Sequence, residues 1–196
     1  MKSSLKIATL VLAFAGLSFA AKAQTTTTTT STTTNGGIRY SIGVDAGIPT
    51  GGFKNSHNWN LGGSAQADIP VANQLFVTVN AGYNNIFGKS DFKGIAGNDV
   101  ADVKLIPVKA GLKFFPVQNF YVQGEAGASF LLNKKDTYND KAVAFVYAPQ
   151  VGVQFPVSAS GNFIDAGVRY EATTKFNKAI DDSKVQFVSL RLAYGF

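Results

Sequence analysis

Along residues 38–48, apolar and polar side chains alternate with a period of two. Ile38, Tyr40, Ile42, Val44, Ala46 and Ile48 fall on one face, and Arg39, Ser41, Gly43, Asp45 and Gly47 on the other. The chain closes on the same pattern: Val188, Leu190, Leu192, Tyr194 and Phe196 alternate with Ser189, Arg191, Ala193 and Gly195. A two-residue period is the mark of a β-strand with two unlike faces. Six further segments obey it less cleanly, near residues 59–69, 74–86, 104–115, 119–132, 143–155 and 162–173. No convincing helical period occurs after Gly37. The pattern predicts an all-β fold of eight antiparallel strands, with the fourth strand interrupted by Pro107.

A short repeat supports this division. Asp45-Ala46-Gly47-Ile48, Asn80-Ala81-Gly82-Tyr83, Lys109-Ala110-Gly111-Leu112, Glu125-Ala126-Gly127-Ala128 and Asp165-Ala166-Gly167-Val168 share one phase, and Gln150-Val151-Gly152-Val153 is a relaxed copy. In each, the polar residue and the glycine share the polar face. The connections alternate in length. Three begin with Pro-Val and are tight (from Pro70, Pro116 and Pro156), where proline ends a strand without removing a needed donor. Those near 49–58, 87–103, 133–142 and 174–184 are longer and hold most of the lysines and aspartates. Short turns at one end and long loops at the other are the pattern of an up-and-down transmembrane β-barrel. On that reading the short turns face the periplasm.

Alternation alone does not say which face points inward. A soluble eight-stranded barrel would turn its polar face to water. Here that face is largely Gly, Ser, Ala, Gln and Asn, which is poor cover for a water-exposed surface but suits a narrow interior. The charges agree. Arg39, Arg169, Arg191, Lys109 and Lys113 lie on the polar face with Asp45, Asp68, Asp165, Glu125 and Glu171, five of each sign. A closed interior requires that balance, because an unpaired buried charge is costly. The apolar face is then lipid-facing. It puts Tyr40, Phe114, Phe120, Phe155, Tyr194 and Phe196 near the turn end and Trp59, Tyr83, Phe130, Phe145 and Tyr170 near the loop end, as two aromatic girdles.

The first residues read as an export address. Lys2 and Lys6 precede an apolar run from Ile7 to Ala20, and Ala21-Lys22-Ala23 forms a cleavage site, so residues 1–23 are expected to be a signal peptide. Residues 24–36 are a threonine-rich tract expected to act as a disordered spacer, and residues 37–196 form the barrel domain. Residues 24–196 carry 15 basic and 12 acidic side chains. A net charge of +3, this dispersed, gives no argument for nucleic acid as a partner. With no cysteine, disulfides, thiolate–zinc sites and a lipoprotein anchor are excluded.

The signal segment, the eight alternating stretches, the proline turns and the terminal Leu192-Ala193-Tyr194-Gly195-Phe196 together resemble the small bacterial outer-membrane β-barrel proteins of the porin-like, OmpX/OmpA-type barrel family. The resemblance covers residues 37–196. It implies an outer-membrane location, lipid as the surrounding partner, and recognition of the last strand, ending in Phe196, by the barrel-insertion machinery. It transfers no catalytic residue. The expected function is a structural or surface-interaction role, with loops exposed outside, an interior filled by a charge network, and an extracellular ligand left unspecified. The alternative is a narrow porin-like channel for small solutes. An eight-stranded barrel encloses a space that side chains fill, which disfavours a wide pore.

No enzymatic, cofactor or metal site is expected. The sole histidine, His57, reads as a solvated loop residue beside Ser56 and Asn58. Asp91, Asp99 and Asp102 lack the spacing of a calcium loop and read as loop charges.

Overall fold

The computed structural model describes residues 37–90, 97, 99–134, 141–177 and 183–196. The signal and spacer segments read from the sequence lie outside the described residues, as does Asp91.

Eight strands follow in chain order: β1 (Arg39–Pro49), β2 (His57–Ala72), β3 (Leu75–Gly88), β4 (Val103–Val117), β5 (Phe120–Leu131), β6 (Val143–Pro156), β7 (Phe163–Thr173) and β8 (Gln186–Gly195). Each pairs antiparallel with the next, and β8 pairs with β1, so the sheet closes into a barrel with no free edge. Closure is completed by a reciprocal pair between Tyr40 and Phe196: each N–H donates to the other's carbonyl, at 3.1 and 2.9 Å. All strands have ten residues or more, enough to cross a bilayer when tilted. With every ladder continued round the ring, the backbone needs no hydrogen bonds from its surroundings.

The alternation read from the sequence is the alternation of the wall. Ile42, Val44, Leu190 and Leu192 point outward and are 56–67% exposed. Between them Ser41, Asp45, Ser189 and Arg191 are buried inside. Exposed apolar side chains on every strand form an apolar belt of a kind that soluble monomers rarely expose. The aromatics flank that belt. Tyr40, Phe114, Phe120, Phe155, Tyr194 and Phe196 are exposed toward the turn end, and Trp59, Tyr83, Phe130 and Phe145 toward the loop end. Tyr170 is half-buried, tilted against Tyr147 at 6.3 Å.

Pro107 and Pro149 sit in mid-strand, and the register shows how. The β3–β4 pairing passes from Ala81–Val108 to Asn84–Leu105, skipping Ile106 and Pro107, while Pro107 keeps its place opposite Ser129 on β5. Pro149 likewise stays opposite Gly124 but falls in a gap of the β6–β7 pairing. Each proline lacks a donor on one side only, so the strand continues through it. In the tight links, Gln74 (φ +65°) and Asn119 (φ +69°) take the left-handed conformation that turns the chain. In the β1–β2 connection, which the sequence reading treated wholly as loop, Gly51–Asn55 form a short 3-10 helix.

Candidate functional site

The interior is the most elaborate part of the molecule. All ten charged residues assigned to it from the sequence point inward. Nine are buried, and Arg39 is half-buried at the turn end.

The strands bring these charges together from distant parts of the chain. Lys113 on β4 sits 2.7 Å from Asp68 on β2 and 3.7 Å from Asp165 on β7. Asp165 also accepts hydrogen bonds from the Tyr121 hydroxyl (2.8 Å) and the Gln154 amide (2.7 Å), and Asp68 accepts one from Gln66 (2.7 Å). One layer toward the loop end, Lys109 is bonded to Glu171 and lies 3.9 Å from Glu125, which accepts from Thr78 at 3.2 Å. Arg169 donates from Nε to Gln150 (2.7 Å) and pairs with Asp45 (3.5 Å) and Glu125 (3.8 Å). Arg191 reaches Asp45 through a hydroxyl: it donates to Ser64 (2.8 Å), and Ser64 donates to Asp45 (2.9 Å). Lys109 and Lys113 are 2% and 1% exposed, so their charge is tolerable only because carboxylates from several strands converge on them.

Glycines make the room. In the β4–β5 pair, Lys109 lies opposite Gly127 and Glu125 opposite Gly111. The repeat read from the sequence thus sets a large charged residue against a bare backbone on the next strand. At Gly152, an added Cβ would lie 2.5 Å from the Tyr121 hydroxyl. Gly152 and its cross-strand partner Gly167 form the slot that receives Tyr121.

Both ends of this lattice are covered by apolar groups, which the sequence reading did not anticipate. At the turn end, the Arg39 guanidinium lies over Phe76 (4.3 Å) and Phe163 (5.0 Å) and pairs with Asp68 at 3.4 Å. At the loop end, a buried apolar cluster crosses the interior. It is built from Ile86, Val103, Leu105, Leu131, Ala144 and Phe187 of the wall and from Phe53, Phe176 and Val185 of the β1–β2 and β7–β8 connections. A signal for both ends was present: apolar doublets such as Ile86-Phe87, Leu105-Ile106, Leu131-Leu132, Phe187-Val188, Phe114-Phe115 and Phe163-Ile164 lie near strand ends. In a doublet one residue must face inward.

Two loop readings need correction. His57 is buried, 6% exposed, and belongs to the first position of β2. Its ring stacks on Phe53 at 4.0 Å, and Nδ1 lies 2.9 Å from the Ser56 hydroxyl. The 3-10 helix folds Phe53 into the barrel mouth, and His57 goes under cover with it. Asp102 is a structural tie of the loop stem. It accepts from Asn85 Nδ2 (3.2 Å) and the Gly88 N–H (3.0 Å). Among the described residues no group of three or more His, Cys, Asp or Glu side chains is placed to hold a metal.

No protein-family model matches the chain, and no curated protein matches it. Solved structures do. The Yersinia pestis outer membrane protein Ail, in a phospholipid bilayer nanodisc, is 20% identical with a TM-score of 0.51, over 81% of this chain and 99% of that one. The fold is that of the small outer-membrane β-barrels. Neisserial surface protein A is 19% identical (TM-score 0.48, 81% and 96% covered). A designed transmembrane β-barrel is 16% identical (TM-score 0.45, 81% and 95% covered). The apolar belt is the surface that such a barrel turns to lipid.

Proposed function

We propose that this chain is an outer-membrane β-barrel with a structural or surface-interaction role, its lumen closed and its loop end displayed at the cell surface. The observation that carries this reading is the filled interior: paired charges through the middle, with apolar groups at both ends. An eight-stranded wall leaves no room for a wide channel, and here inward side chains obstruct its middle and both ends. The connections, free of any duty in the wall, are then the part available for contact with a ligand outside. The interior charges cancel, so the net charge of +3 on residues 24–196 resides in the connections and in Lys104 at the loop end of β4.

In this reading residues 1–23 are removed on export, residues 24–36 link the new terminus to the barrel, and the short turns face the periplasm. The last strand, with Phe196 exposed to lipid, presents itself to the insertion machinery. Planar-bilayer recording on refolded protein tests the closed lumen: silence is expected. A steady conductance would transfer the function to the narrow-channel alternative. Protease or biotin labelling of intact cells tests the orientation, with cleavage or labelling expected in the long connections.

A further inference from the structure

Just inside the loop-end apolar cluster lies a set of buried polar atoms with no hydrogen-bond partner among the described residues. It comprises both amide atoms of Asn60, the Ser129 and Ser189 hydroxyls, Glu125 Oε2, Glu171 Oε1 and Arg169 Nη2. All but Ser129 are linked through strand pairing and ion pairs. Asn60 is opposite Gly47, Gly47 opposite Ser189, and Ser189 opposite Arg169. The Asn60 carbonyl lies over Gly47, where a Cβ would come within 2.7 Å of it. Arg169 Nη2 and Lys109 Nζ stand 3.8 and 3.9 Å from Glu125 Oε2, beyond hydrogen-bond length. The set also abuts the cap: Asn60 pairs with Ile86, Glu171 with Phe187, and Ser129 is two residues from Leu131.

Buried polar groups in folded proteins find partners. These include donors (Asn60 Nδ2, Arg169 Nη2) and acceptors (Asn60 Oδ1, Glu125 Oε2, Glu171 Oε1) side by side. A cation would serve only the acceptors, and the balanced interior has no excess negative charge to attract one. Water serves both. We infer that Asn60, Ser189, Glu125, Glu171 and Arg169 line a hydrated compartment, and that the apolar cap closed by Phe53 and Phe176 is its seal toward the loop end. The two phenylalanines come from connections rather than strands, so the seal opens without breaking the wall. This inference rests on the closed-lumen reading and adds where the barrier lies.

Two measurements test it. In bilayers, solid-state NMR transfer of magnetisation from water should reach the Asn60 and Arg169 side-chain N–H groups of the unmodified chain. Absence of transfer overturns the hydrated compartment. The chain has no cysteine, so Ser189→Cys supplies a single thiol. With loops facing outward from vesicles, a small charged methanethiosulfonate added outside should label it slowly. Adding Phe53→Ser and Phe176→Ser should accelerate labelling about tenfold or more, as expected when a local opening becomes easier. Equal rates overturn the seal. Should the triple variant lose the heat-modifiable gel mobility of a folded barrel, Phe53→Ala alone replaces it, with the same acceleration expected and the same equal-rate outcome fatal. A conductance in the unmodified chain would sink the closed-lumen reading itself. Equal labelling in a silent barrel sinks only the seal.

Discussion

The middle of the barrel and its loop end are lined by the same eight strands, yet their interiors are opposite in chemistry. In the middle, inward positions hold Lys109, Lys113, Arg169 and their carboxylates; at the loop end they hold Ile86, Leu105, Leu131 and Phe187. The difference teaches where a narrow barrel can keep charge. In the middle, hydrocarbon surrounds the wall, and Lys109, Lys113 and Arg169 draw carboxylates from several strands to themselves. At the mouth, water competes for every ion pair, and an apolar cover keeps bulk solvent and its ions from the pairs beneath.

The comparison breaks first at its charged half. Arg169→Met would leave Asp45 and Glu125 without their shared cation. A loss of about 3–5 kcal/mol is expected in urea refolding titrations in lipid vesicles. A loss near zero would mean that the lattice is dispensable. The apolar half is tested next by an inside–outside pair. Leu105→Ala, at 0% exposure, should cost about 2–5 kcal/mol by leaving a cavity. Leu190→Ala, 67% exposed to lipid, should cost clearly less in the same titration, because lipid chains fill the gap. Equal costs would remove the distinction between wall and cap. Val44→Arg places a charge on the belt near mid-strand and should cost ~2–4 kcal/mol; an unchanged midpoint would mean that the faces are reversed. The smallest effect concerns fit within the lattice. Gly152→Ala presses on the Tyr121 hydroxyl and should cost ~1–3 kcal/mol. Gly124→Ala, with nothing within 4 Å of its added methyl group, should leave the midpoint where it is.

Much of this was legible in the chain. Alternation gave the number of strands and their phase, and the scarcity of water-loving side chains on the polar face told inside from outside. The connections were harder. His57 reads as solvated because its neighbours are polar, and its burial depends on Phe53 turning inward four residues earlier, through a 3-10 helix with no strong local signal. The caps were half-visible, as apolar doublets at strand ends, but a doublet says only that one member points in. It does not say that five strands and two connections place theirs against each other.

The sequence by itself therefore determined the wall: eight strands, a lipid-facing belt, two aromatic girdles and ten inward charges. These follow from a period of two, which is a local property of extended backbone. Only the closed tertiary structure decided the partnerships. Lys109 meets Glu171 across 62 positions, and Arg191 reaches Ser64 across 127. Such pairs depend on register and on which strands face each other across the lumen, and both are set when β8 docks on β1 and the ring closes.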